Sequence, residues 1–296
     1  MADVAPKQAA LRILSIQSWV AYGHVGNAAA LFPLQRLGAE VLAVHTLQFS
    51  NHPGYGRFRG MRFPPSHVAD VITGLAERGI LAACNGVLSG YLAEAGTGAA
   101  VVKAVAALRI ANPAGLYCCD PVFGDDDPGV YVHPDLPRFF LEEALPAADI
   151  ATPNRFELAY LTGNPCRTLA DVKAAMTALQ RKMRSDGLRT VLVSSLNTES
   201  TPEDAIDTIV GESSAFYLLR TPKLPLRPSG SGDLLAALFF YHCLRGNSGR
   251  EALENAVSAL FGILRRTAEL GQQELAIIAA QDEVITPSRR FRAEPV

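Results

Sequence analysis

Short apolar runs rich in Val, Ile and Leu alternate with longer amphipathic segments along this chain, and that alternation constrains its fold more than any single motif. Residues 12–17, 41–49, 87–88, 116–119, 149–151 and 190–194 read as strands, while 65–78, 98–110 and 169–185 carry helical spacing. Strands without a polar alternation must be buried on both faces, so the pattern predicts βαβ units and a mostly parallel sheet with helices on either side. Residues 206–210 and 215–219, joined by Gly211-Glu212-Ser213-Ser214, read as a hairpin forming an antiparallel edge. Two long helical patterns, 231–244 and 250–270, close the chain. No linker, repeat or low-complexity tract interrupts it. The expectation is a flexible tail, residues 1–11, followed by one domain, residues 12–296.

The composition narrows the partners. A net charge of −2, with acids and bases spread evenly, leaves no electrostatic footprint for nucleic acid or an anionic membrane, so small molecules are expected. Five cysteines, an odd number without CxxC spacing, suggest buried thiols of a reducing compartment and neither a disulfide framework nor a zinc site. No run reaches the length of a membrane span. A cytoplasmic protein is expected.

Ligands of open parallel sheets bind beyond the carboxyl ends of the strands, and the polar clusters fall there. In Pro228-Ser229-Gly230-Ser231-Gly232-Asp233, glycines permit a tight turn whose following helix points unpaired N–H groups at an anion. A carboxylate in that first turn can take a proton from a hydroxyl while the amides hold the phosphate under attack. A flexible loop with Asp233 as an ordinary helix cap fits the same six residues. Tyr22-Gly23-His24-Val25-Gly26-Asn27 leads from the first strand into an alanine-rich helix, with Asn27 at the cap. Residues 49–56, aromatic and punctuated by glycine, fit a mobile flap or a surface turn. Four aspartates between Cys119 and Asp127 offer the hard oxygens that Mg²⁺ with a nucleotide needs, and equally the solvated turn formers of a loop. Asn154 and Glu157 stand at capping-box spacing. His24 and His52 lie within reach of a ligand or are satisfied within their loops. Walker and dinucleotide motifs are absent.

Taken together, Ile16-Gln17-Ser18, the 22–27 loop, Gln48-Phe49-Ser50-Asn51-His52, Leu88-Ser89-Gly90-Tyr91, Cys119-Asp120-Pro121-Val122, the 152–157 segment and Gly230-Ser231-Gly232-Asp233 closely resemble the pyridoxal kinases of the ribokinase-like superfamily. The resemblance runs in order from about Arg12 to the tail around Glu274-Leu275 and Ala279 to Asp282. It implies a three-layer α/β/α sandwich, usually a homodimer, that phosphorylates the 5′-hydroxymethyl of pyridoxal with MgATP in vitamin B6 salvage.

By matching motif, the resemblance makes Asp233 the base and gives the Gly230, Ser231 and Gly232 amides the charge on the transferring phosphoryl group. Ser18, Val25, Pro53, Gly54 and Tyr91 would contact pyridoxal. Asp120, Asp125, Thr152 and Glu157 would organise Mg²⁺ and a monovalent cation such as K⁺ around the ATP phosphates. Asn154 would touch those phosphates, and Tyr131, Ser194, Ser195 and Arg220 would lie along the nucleotide. The sequence departs from the family at Pro53, where threonine is common, at Trp19 in place of histidine, and at Ser229 in place of valine. The 220–227 stretch is also shorter than in bacterial relatives. A related hydroxymethylpyrimidine kinase, or a protein that binds the vitamin without catalysis, is the alternative to a pyridoxal kinase.

Overall fold

The computed structural model describes residues 10–296. The expected tail, residues 1–11, lies outside the described residues except for Ala10 and Leu11, and Leu11 is already packed into the core. In chain order the strands are β1 (Arg12–Val20), β2 (Glu40–Phe49), β3 (Gly60–Arg62), β4 (Gly86–Ser89), β5 (Leu116–Cys119), β6 (Gly124–Asp125), β7 (Gly129–Val130), β8 (Ile150–Ala151), β9 (Thr190–Leu196), β10 (Ala205–Glu212), β11 (Ala215–Pro222) and β12 (Glu294–Pro295). The helices are α1 (Asn27–Arg36), α2 (Pro65–Glu77), α3 (Ala95–Ala111), α4 (Leu136–Phe139), α5 (Leu145–Ala147), α6 (Arg155–Thr162), α7 (Leu169–Lys182), α8 (Ser231–Leu244) and α9 (Gly249–Glu269).

Ten strands form one sheet in the order β12-β11-β10-β9-β8-β5-β4-β1-β2-β3, and β6 and β7 form a separate small hairpin. The six strands from β9 to β2 run parallel. The predicted hairpin, β10 with β11, is antiparallel, but β12 pairs outside it and β3 adds an antiparallel strand at the opposite edge. Neither short edge strand carries an apolar run from which it could be read in the sequence.

Because successive strand residues face opposite ways, each central strand feeds two cores. Leu14, Val87, Cys119, Ala151 and Val191 join the helices α2, α3, α6 and α7, whereas Ile13, Leu88, Cys118, Ile150 and Leu192 join α1, α8 and α9. This is the expected three-layer α/β/α arrangement. Helix α8 is buried without a break from Leu234 to Tyr241, which explains why its sequence is apolar on every side. All five cysteines are free thiols. No helix among the described residues is long and apolar enough to cross a membrane.

Candidate active site

Parallel strands bring Ser18, Ser89, Asp120 and Thr152 to one edge of the sheet, and α8 begins beside them. Gly230 caps α8 at φ 87°, in the left-handed region, where a side chain is strained. A Cβ there would also stand 1.7 Å from the His24 carbonyl oxygen, whereas one at Gly232 would meet nothing within 4 Å. The turn is closed by the Ser231 hydroxyl, which donates to the Pro228 carbonyl at 2.9 Å. Asp233, in the first turn of α8, receives the Gly26 backbone N–H; burial raises its pKa, opposed by that bond and by His52. A carboxylate held this way is a strong proton acceptor next to a helix N-terminus suited to an anion.

Asp120 and Glu157 are buried nearby. Burial, reinforced by Asp233 and relieved by a 2.9 Å bond from the Thr152 hydroxyl, pushes Asp120 up to about 8. Glu157 is likewise pushed well up, by burial and by Asp120, against backbone N–H groups donated by Asn154, Phe123 and Gly124. Tyr131, in the segment following the β6–β7 hairpin, has its phenol pKa raised by burial and by Glu157, Asp233 and Asp120, although part of its surface is exposed. Crowded carboxylates of this kind gain from a hard cation. Among the described residues no three His, Cys, Asp or Glu side chains make a ready metal site, so Mg²⁺ would need phosphate oxygens to complete its shell.

Next to Gly26 in the chain, Val25 packs with Val20, Leu47 and Phe49, and Tyr91 packs against the same apolar cluster. Ser18 is buried beside it, where the pairing of β1 with β2 slips between Gln17 and Trp19. Such a bulge re-aims side chains at the end of a strand. Gly26 is required here, since at φ 55° a Cβ would lie 2.4 Å from both Ser18 oxygens.

Residues 67–277 match the phosphomethylpyrimidine kinase family. The pyridoxal kinase PdxY of Granulibacter bethesdensis is 52% identical over 284 residues, covering 96% of this chain and 99% of that protein. Its counterpart in Deinococcus radiodurans is also 52% identical, with 96% of each chain covered. This chain belongs to the pyridoxal kinase family. Among solved structures, the pyridoxal kinase of Leishmania donovani in complex with ADP and pyridoxamine matches with a TM-score of 0.89 at 28% identity, covering 96% of this chain and 99% of that one.

Several residues assigned by family motif are committed elsewhere in the structure. Asn154 caps α6 through its oxygen and donates one amide hydrogen to the Gly124 carbonyl at 2.8 Å, forming a full capping box with Glu157, so only the second amide hydrogen is left to offer a phosphate. Arg220 makes a two-pronged ion pair with buried Asp207 on the neighbouring strand, at 2.7 Å on each arm. Asp125 is exposed and accepts the Asp126 N–H, and its charge acts on Tyr131 together with those of the buried carboxylates. Gly54 and Pro53 sit in a short 3-10 turn, and the Gly54 N–H already donates to His52 Nδ1 at 3.2 Å. Ser194 N–H bonds the Pro153 carbonyl at 3.3 Å beside Asn154, and Ser195 takes φ 54° where the β9–β10 register slips, so the strand runs on through Leu196 instead of ending at Ser194.

The helix α1 is capped by Gly26, not by Asn27 as expected; Asn27 turns inward and ties Ser15, His45 and the Val44 carbonyl together. Ser229 reaches His52 Nδ1 at 3.4 Å, which gives its departure from valine a contact. Sequence reasoning missed Gly26, which touches Asp233, and undervalued His52. The only sequence signal for Gly26 was its place in a loop with two glycines, since contact with Asp233 arises only when the first strand's loop meets α8.

Proposed function

We propose that this chain transfers the γ-phosphoryl group of MgATP to the 5′-hydroxymethyl of pyridoxal, giving pyridoxal 5′-phosphate. The observation that carries the reading is Asp233: a carboxyl with raised proton affinity, in the first turn of α8 directly after the glycine turn, bonded to the Gly26 N–H beside Val25. Asp233 accepts the hydroxyl proton as the oxygen attacks, and the N–H groups of the turn hold the oxygens of the transferring group. Phosphoryl transfer needs positioning and charge stabilisation and no covalent intermediate, so these parts suffice.

Ser18 bonds the polar edge of the pyridine ring, and Val25 and Tyr91 cover its faces. Asp120 and Thr152 lie on the nucleotide side, where Mg²⁺ neutralises phosphate charge and a monovalent cation such as K⁺ fits the same oxygen-rich surroundings. Glu157 adds its field from behind. Asn154 and Arg220 act as braces for this side, by capping α6 and pairing β10 with β11. Residues 12–296 work as one domain in a homodimer, and the free thiols suit a reducing cytoplasm.

A coupled assay for ADP with pyridoxal and MgATP tests the reading. Asp233→Asn is expected to bind both substrates and lose on the order of 10²–10⁴-fold in kcat. Near-wild-type turnover in that variant, with its fold confirmed by circular dichroism, sinks the assignment.

A further inference from the structure

Glu274 stands 41 residues beyond Asp233 in the chain, yet its carboxylate joins the loop that carries Val25 to the 53–55 turn. One oxygen accepts the His24 backbone N–H at 2.9 Å, and the other accepts the Tyr55 hydroxyl. Gly23 lies against the same carboxylate: at φ 100°, a Cβ there would be 2.5 Å from it. The rings of Tyr22 and Tyr55 approach to 6.4 Å across the junction. Glu274 itself is firmly based, because Leu275, Ala276 and Ile277 are buried and the Ala276 N–H bonds Thr267 at 2.9 Å.

Both loops lead to the reacting centre. The 22–26 loop sets its His24 carbonyl against Gly230 and its Gly26 N–H on Asp233. The 53–55 turn is held at its start by His52, which faces Ser229, and at its end by Tyr55. We propose that Glu274 is a positioning residue for pyridoxal: it clasps the β1–α1 loop to the 53–55 turn and so fixes the loop that carries Val25 against one face of the ring. The nucleotide side does not depend on it, since Asp120, Thr152, Asn154 and Glu157 are braced by their own bonds.

The proposal rests on pyridoxal being the substrate, and its test separates the two. Glu274→Ala and Tyr55→Phe each remove a bond to a carboxylate, and each is expected to raise KM for pyridoxal about tenfold while KM for MgATP stays within about twofold. Glu274→Gln keeps an acceptor for one donor only and should fall between wild type and Glu274→Ala. Adding Tyr55→Phe to Glu274→Ala should change nothing further, because both delete the same contact. In the ligand-free protein, amides of residues 22–26 and 52–56 should exchange faster in Glu274→Ala, with the rest of the chain protected as before. Equal rises in both KM values, additive effects, or unchanged exchange in both loops overturn the clasp. If wild type fails to turn over pyridoxal, the substrate reading falls, and the exchange measurement still decides the clasp.

Discussion

Gly230 and the His24 carbonyl meet so closely that no side chain fits between them: a Cβ on Gly230 would stand 1.7 Å from that oxygen. The glycine turn is therefore locked to the first βα loop by backbone packing. The same contact places Asp233 under the Gly26 N–H.

The two glycines of the turn should separate by substitution. Gly230→Ala requires a left-handed residue and displaces a neighbouring backbone, so both melting temperature and activity should drop sharply. Gly232→Ala meets nothing within 4 Å and should leave the melting temperature unchanged or slightly raised. Its methyl group intrudes where a phosphate must approach the amides, and a loss of about 10²-fold in kcat is expected. Equal loss of stability in both variants contradicts the assignment of Gly232 to the anion site.

Asp120 predicts an unusual pH dependence. Its pKa is about 8 in the folded chain and ordinary for an aspartate in the unfolded one, so the folded state holds a proton that the unfolded state releases. The stability associated with that proton is fully present below the unfolded value and lost as pH rises through about 8. Asp120→Asn should raise the melting temperature of the ligand-free protein, more at pH 9 than at pH 5, and should increase the Mg²⁺ concentration needed for turnover. A pH-independent difference in melting temperature contradicts the shift.

Glu157 and Asn154 share a capping box but differ in charge. Asn154→Ala should lower stability by about 1 kcal/mol, with the Mg²⁺ activation curve unmoved. Glu157→Gln sets an amide against backbone N–H groups and removes the charge, so it should lower stability and also move the Mg²⁺ curve to higher concentration. A change in stability alone would make Glu157 a brace and nothing more.

Trp19, the single tryptophan, follows Ser18 on β1 and lies against His45, ring centroids 4.8 Å apart. Pyridoxal bound at Ser18 absorbs where indole emits, so a saturable quench is expected, weakened in Ser18→Ala and absent in Trp19→Phe. Removing the serine hydroxyl deletes a bond worth about 0.5–1.5 kcal/mol, which should raise the half-saturating concentration by roughly two- to tenfold. Flat emission at saturating pyridoxal, after correction for inner-filter absorption, removes Ser18 from the site.

What the sequence determined by itself was local. The period of apolar residues distinguishes a strand from a helix within a few positions, so 116–119 and 231–244 coincide with β5 and α8, and the other predicted strands and helices differ only at their ends. The glycines before Asp233 and the spacing of Asn154 and Glu157 were legible for the same reason, because a turn or cap is made by neighbours in the chain. Tertiary structure decided what spacing cannot encode: which side chains still have a polar group to offer once the strands are paired. Packing turned Asn27 inward and left the cap to Gly26, committed Arg220 to Asp207, and left Asn154 one free amide hydrogen. It also brought Glu274 across 250 residues to His24, a contact with no local signature, because it exists only when α9 and its following segment pack on the same layer as α1.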